Sequence, residues 1–428
     1  MLLASGTSLG NNNPIFKNNR SRNSFVGNSI EWCCILFLIC LLYKLSLLGV
    51  GVLAVITMLG FSNKSVISFP FSSISVWTAL YVVMATTTAF LVDPYEGAYR
   101  TAQCLLILSS GIVVAKHFSD LPRENADTFI RKLTFVGIGI FISVVIYHLS
   151  IHRYAGWKLF YDTKFVFSLL PFLFFLQEDA IRKRFGAFGW WLLICALAAI
   201  LVVTGERKAY LLWTCLFFLS NGSRLGKSVI LVAIAAALML FMGLSSGDYV
   251  EQRLTSLFKS HRQATMEEMI LDKDIGYKSD LIRTFVNRNA RELFLSNPLF
   301  GLGATGYQGW ATENFYSINP GLATNVHGEI NRVPVEGGLV GIGVALAYLY
   351  CALRRVYAHI RAKGGLSIPS LDKLPLYLLM FVLMYTFTEA LNTLMLEIIL
   401  LYGFYLSSIT PARYKSPIRP LSKTRIGF

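Results

Sequence analysis

Uninterrupted apolar segments of roughly membrane length recur along this chain, and they constrain its fold more than any other feature. The stretch from Trp190 to Val203, for example, contains no charged residue. Such segments are typical of helices that cross a bilayer, where backbone groups find no water and must bond within the helix. Strands of a membrane barrel would instead alternate apolar and polar residues. The sequence therefore predicts an all-α, polytopic membrane protein.

Composition narrows the class further. Of the 428 residues, 54% are hydrophobic and 15% are charged, whereas a soluble domain has about 25% charged residues. These values exclude a soluble enzyme, a disordered chain and a small disulfide-framed domain. In a membrane protein the distribution of a net charge of +15 matters more than its sum, so no nucleic-acid partner is predicted. The cysteines lie in apolar runs without the spacing of a metal site.

Hydropathy predicts about twelve transmembrane helices and one large polar loop. The predicted spans are 30–45, 47–61, 74–91, 100–115, 132–148, 163–176, 189–204, 208–220, 226–244, 334–353, 374–389 and 391–409. The chain thus divides into a tail (1–29), nine spans (30–244), the loop (245–333), three spans (334–409) and a basic tail (410–428). A structureless loop of this length is unusual, so we expect it to be partly helical.

Lysine and arginine predict the orientation. The connections on the side of both termini carry 23 of these residues, against 6 in the short connections of the other side. Because positive charge is retained in the cytoplasm, both termini are predicted to be cytoplasmic and the large loop to face outward.

Three polar segments fall on the predicted outward side. The hairpin TGERKAY carries Arg207 and Lys208. The segment SDLIRTFVNRNARELFLSNPLFGLGATGY predicts a helix that Ser279 caps and that ends at Asn297-Pro298, with Arg283 near the edge of its apolar face and Arg288 further round. The third segment, NVHGEINRVPVEGGLVGI, leads into the tenth span.

Glycines and a histidine stand out in the second and third segments. Gly301, Gly303 and Gly306 follow a helix rather than a strand, so we interpret them as permitting a sharp turn and a close backbone approach, not as a dinucleotide site. His327 precedes the membrane, Pro334 suits the first turn of the span, and Glu336 in that turn is favoured by the helix dipole. Each segment also has a structural alternative, as interfacial residues that contact lipid head groups.

Together, in this order, the segments resemble the signatures of the O-antigen ligase and O-antigen polymerase superfamily, membrane glycosyltransferases of the C type. Thr204-Gly205-Glu206-Arg207 resembles the first motif, a Thr-x-Ser-Arg hairpin. Arg283 lies fifteen residues before Pro298-Leu299-Phe300-Gly301-Leu302-Gly303, which resembles the second. His327 is followed by Glu336, Gly338 and Gly341 at the spacing of the third. The chain departs from the pattern at Glu206, Asn287 and Gly328, where the family has Ser, an aromatic residue and Asn.

The resemblance implies transfer of a glycan from a polyprenyl diphosphate carrier to a glycan or lipid A core hydroxyl, at the periplasmic face of the bacterial inner membrane. Arg207 and Arg283 would bind the diphosphate and His327 would accept the proton, without metal or cofactor. Lys208, Arg288, Gly301 and Gly303 are further candidates for substrate binding. Other polysaccharide-assembly proteins are candidate partners.

Two alternatives stay open beside the preferred reading, an inverting polymerase of surface-polysaccharide repeat units. A ligase would move the finished glycan to the lipid A core. A transporter or flippase would place ionisable residues at mid-membrane depth and show two related halves, and the sequence shows neither feature.

Overall fold

The protein is almost entirely helical in a computed structural model that describes residues 14–42, 46–61, 72–87, 94–151, 164–204, 207–221, 228, 275–317, 322, 326, 328–388 and 393–408. No strand occurs among these residues. The predicted all-α class is therefore confirmed for this part of the chain.

The described helices follow one another in the order of the predicted spans. They are α1 (Pro14–Leu42), α2 (Ser46–Phe61), α3 (Ser73–Thr87), α4 (Pro94–Asp120), α5 (Arg123–Ile151), α6 (Lys164–Leu176), α7 (Glu178–Thr204), α8 (Arg207–Leu219), α9 (Ile275–Ser296), α10 (Gly306–Phe315), α11 (Glu329–Ala362), α12 (Leu374–Thr388) and α13 (Thr393–Ser408). A short 3-10 turn, Ser370–Lys373, directly precedes α12.

Three of the described helices are long and apolar enough to cross a membrane. Their apolar stretches are Thr101–Phe118, Glu178–Leu201 and Glu329–Ala362, and five shorter apolar helices accompany them. Every predicted span overlaps a described helix except the ninth, 226–244, which apart from Ser228 lies outside the described residues. The total of twelve spans stays a prediction.

Several helices extend past their apolar spans, and this corrects three details of the sequence analysis. α11 begins at Glu329, so Pro334 and Glu336 lie inside the helix and not in its first turn. α9 begins at Ile275, so Ser279 is not its cap. Hydropathy identifies only the part of a helix that lipid can cover. The helix itself can extend further, through polar helical turns whose side chains have partners in the protein.

Three large apolar clusters hold the described helices together. The first joins α6, α7, α8 and α12 around the fully buried Trp190 and Trp213. The second joins α1, α2 and α4 to α13, and the third joins α3, α11 and α12 to α13. α13 therefore packs in two clusters. A Cβ added at Gly111 or Gly403 would overlap a facing side chain, so small residues set the close helix packing on which association in lipid depends.

A buried polar network closes the end of the bundle where α7 begins. The fully buried Glu178 carboxylate accepts hydrogen bonds from Arg182 Nε at 2.8 Å and from the Asn221 N–H at 3.0 Å. Lys373 Nζ, also buried, donates to the Leu219 carbonyl at 2.7 Å and to Asn221 Oδ1 at 2.5 Å. The network ties the start of α7 and the end of α8 to the 3-10 turn before α12.

Candidate functional site

The turn between α9 and α10 docks against a break in α11. At the break, Gly338 leaves helical geometry with φ 59° and ψ −156°. Four main-chain hydrogen bonds cross the contact in both directions. Donor first, they run from Leu302 to Val335 (2.8 Å), Gly303 to Glu336 (2.9 Å), Leu339 to Pro298 (2.8 Å) and Val340 to Leu299 (3.2 Å). We call residues 297–305 the docked turn.

Two glycines make this contact possible. A Cβ at Gly338 would overlap the Leu299 carbonyl, and a Cβ at Gly301 would overlap the backbone of Glu336. Both residues also have positive φ, 59° at Gly338 and 66° at Gly301, where a side chain is strained. The sharp turn and close backbone approach predicted for this glycine run are therefore confirmed. Gly301 of the second motif therefore lies against the backbone of the third segment, and Gly338 of the third motif lies against the backbone of the second segment.

A buried ion cluster lies in the first turns of α11, beside the docked turn. Arg332 binds the Glu329 carboxylate through Nε and Nη2, both at 2.7 Å, and Glu336 through Nη1 at 2.5 Å. The Tyr81 hydroxyl on α3 donates to Glu329 at 2.6 Å. The N–H of Thr305 bonds to the Glu336 carboxylate. Glu336 thus links α11 to the end of the docked turn.

The consequence for chemistry is that the single positive charge of Arg332 is already paired with two carboxylates. Removal of charges from water is costly unless they are paired and hydrogen-bonded, and here each charged group has such partners. Arg332, Glu329 and Glu336 therefore serve to fix the docked turn, and the guanidinium is not available to bind a phosphate.

A small apolar core joins α9 and α10 to the start of α11. Val286 and Ala290 of α9 pack against Tyr307 and Ala311 of α10, together with Val326 and Val335. The Tyr307 hydroxyl donates to the Val286 carbonyl at 3.2 Å. Burial raises the pKa of Tyr307 above its ordinary value of 10.0, against a smaller opposing effect of Asn289, so the hydroxyl stays protonated and remains a donor.

The predicted site residues of α9 differ in exposure. Arg283 is half-buried, in agreement with its predicted place near the edge of the apolar face. Arg288 is exposed, with Nε 3.9 Å from a Glu292 carboxylate oxygen and its guanidinium over the Phe285 ring. Of the two α9 arginines predicted as site residues, Arg283 is therefore shielded and Arg288 accessible.

The remaining predicted residues are only partly covered by the structure. Arg207 is the first residue of α8, directly after the hairpin predicted at the end of α7, and its side chain lies outside the described part. Lys208 is half-buried. His327 lies outside the described residues, between the buried Val326 and Gly328. The structure joins the second and third motifs, and the convergence of Arg207 and His327 with them stays a prediction.

Sequence reasoning missed Tyr81, which closes the ion cluster from α3. No local signal marks it, because its partner Glu329 is 248 residues away in the sequence. The spacing of Glu329, Arg332 and Glu336 was a usable signal, since residues three and four apart share a helix face. It predicts mutual pairing once α11 is known to begin at Glu329.

Among the described residues, no three His, Cys, Asp or Glu side chains come together as a metal-ligand group. In comparisons with known proteins, no family model and no curated protein matches this chain.

Proposed function

We propose that this chain is a membrane glycosyltransferase that moves a glycan from a polyprenyl diphosphate carrier to a hydroxyl of a glycan acceptor. The observation that carries the proposal is the union of the second and third motifs. Gly301 of the second motif lies against the backbone of Glu336, and Gly338 of the third motif lies against the backbone of Leu299, although more than thirty residues separate the two glycines in the sequence. Such a joint supports one catalytic unit, because it holds α9 and the start of α11 in fixed register.

The reaction makes few demands on the protein. The acceptor oxygen attacks the anomeric carbon, the bond from that carbon to the carrier diphosphate breaks, and the hydroxyl proton leaves to a base. In our proposal His327 takes that proton, since an unperturbed imidazole titrates near neutral pH. Direct attack inverts the anomeric configuration.

The leaving diphosphate gains negative charge as its bond to the sugar breaks. Arg207 and Arg283 are the proposed partners of that charge, because guanidinium binds phosphate oxygens in a bidentate manner and stays protonated. Arg288 and Lys208 are alternative candidates for binding the diphosphate. Since arginines balance the charge, EDTA is expected to leave the rate of transfer unchanged, which a transfer assay with and without the chelator measures.

The neighbours of His327 support its role. Val326 belongs to the small apolar core, and Gly328 is buried with φ 80° directly before α11. Both neighbours are therefore anchored beside the docked turn.

A transfer assay separates the enzyme from a transporter. Purified protein in detergent is supplied with a polyprenyl-diphosphate-linked glycan and a glycan acceptor, and covalent product is measured. The enzyme forms a new glycosidic bond without a bilayer. Movement of the lipid-linked glycan across proteoliposomes, without product in detergent, would instead establish a transporter.

Within the enzyme class, we propose polymerisation of surface-polysaccharide repeat units. The departures at Glu206, Asn287 and Gly328 leave the ligase pattern incomplete and favour this reading over a lipid A core ligase. Deletion of the gene and analysis of surface polysaccharide distinguish the two. Loss of a polymerase leaves single repeat units, whereas loss of a ligase accumulates long carrier-linked chains.

A further inference from the structure

The tip of the docked turn exposes large apolar side chains. Leu299 and Phe300 are 60% and 73% exposed, and Leu295 at the end of α9 is exposed as well. The sequence around them, from Leu293 to Thr312, contains no charged residue or histidine. Contact between these large apolar side chains and water is unfavourable, so we expect the tip to lie in an apolar environment.

The position of the tip along α11 gives that explanation. The hydrogen bonds of the docked turn place Pro298 and Leu299 beside Leu339 and Val340, which are exposed residues of a helix apolar enough to cross a membrane. The exposed apolar face continues from them along α11 through Leu346. The tip is therefore continuous with a surface that lipid covers.

The depth of the tip in the membrane follows from the geometry of α11. Arg354 is exposed and is the first charged residue after Glu336 on α11, so we take it as one membrane boundary. At 1.5 Å per residue, Val340 lies about 21 Å from it along the axis. A hydrocarbon core of about 30 Å then extends about 9 Å beyond Val340. The tip beside Val340 lies below the opposite boundary, inside the hydrocarbon.

A turn in hydrocarbon must satisfy its backbone internally. Besides the four main-chain bonds to α11, Gly301 donates its N–H to the Asn297 carbonyl at 3.0 Å. The N–H groups of Gly301, Leu302 and Gly303 and the carbonyls of Pro298 and Leu299 thus have main-chain partners within the protein. This property is independent of the exposed side chains and of the depth estimate.

From these observations we propose that the docked turn is a re-entrant segment whose tip, Leu299-Phe300, inserts among the acyl chains of the bilayer half opposite Arg354. The partner is lipid hydrocarbon, and the insertion stands apart from whichever reaction the protein performs. It anchors the docked turn to the membrane as well as to α11.

Photocrosslinking of the full chain tests this insertion. Phe300→p-benzoyl-phenylalanine keeps an aromatic side chain and reacts on irradiation with C–H bonds in contact with it. The variant is reconstituted in nanodiscs that contain phospholipid with radiolabelled acyl chains, and label transfer to the protein is measured. Leu346→p-benzoyl-phenylalanine is the positive control on α11, and Tyr316→p-benzoyl-phenylalanine is the control on the polar loop.

Insertion predicts label transfer at position 300 comparable to that at 346 and well above that at 316. Label at 300 no higher than at 316 would overturn the proposal. So would a crosslinked dimer in place of lipid label, because it would show that a second copy covers the tip. A folded state is checked for each variant by its elution as a single peak in detergent.

Discussion

Gly338 is a position where a single added methyl group would overlap main-chain atoms and not the end of a side chain. Gly338→Ala forces a side chain into positive φ and into the Leu299 carbonyl, and we expect a loss of about 2–4 kcal/mol from strain and overlap. Thermal unfolding of the purified protein in detergent measures it. Gly343→Ala is the matched control on the same helix, since a Cβ there meets nothing within 4 Å. Equal stability of the two variants would refute the close contact.

Arg332 is the second sensitive residue. Arg332→Met leaves the buried Glu329 and Glu336 carboxylates without the cation that pairs with them, which costs about 3–5 kcal/mol. The triple variant Glu329→Gln, Arg332→Met, Glu336→Gln should regain part of that loss, because no buried charge is left over. Chemical or thermal unfolding in detergent follows both.

Arg288→Met is the control for Arg332. Its pair with Glu292 is exposed and 3.9 Å long, so its removal should change stability by less than about 1 kcal/mol. If Arg288→Met and Arg332→Met were equally mild, the ion cluster would not hold the docked turn.

At the scale of elements, the polar ends of helices decide how the bundle is closed. Lys373→Met removes two hydrogen bonds and leaves the Leu219 carbonyl and Asn221 without their donor, and a loss of about 1–3 kcal/mol is expected. Lys363, whose Nζ is 3.4 Å from Asp372 and half exposed, provides the control. Lys363→Met should be nearly neutral. Unfolding of both variants is compared under one set of conditions.

The sequence allowed the docked turn to be foreseen in part. Pro298 and the glycines Gly301 and Gly303 carry local conformational signals, and these predicted a turn and a close backbone approach correctly. The partner of that approach was not predictable from periodicity, because contact with Gly338 depends on how α9 packs against α11. Spacing alone does not encode packing.

The start of α11 shows why helix ends were harder to predict than spans. Hydropathy placed the helix at 334 because Glu329 and Arg332 are charged. In the structure these residues pair with each other and with Tyr81, so the helix includes them. A long-range partner made a polar segment helical, and a single sequence carries no trace of that partner.

At the scale of the whole molecule, two separate polar assemblies stabilise the two ends of the helix bundle. Glu178, Asn221 and Lys373 lock one end, whereas the docked turn and ion cluster organise the other, next to the motif residues. Apolar clusters that share α13 connect the ends. The proposed glycosyltransferase would have to hold a charged head group at a membrane boundary while the lipid tail of its substrate stays in hydrocarbon, and this arrangement is compatible with that requirement.

The most direct test of the proposed chemistry is transfer by purified variants. Arg207→Ala and Arg283→Ala each remove a stabilising cation and should lower the rate by about 10²–10³, and His327→Ala should lower it by about 10²–10⁴. Arg291→Ala, an exposed arginine on the same helix as Arg283, is the control and should retain its activity. Near-normal transfer by all three site variants, with expression and membrane insertion intact, would contradict the proposed site.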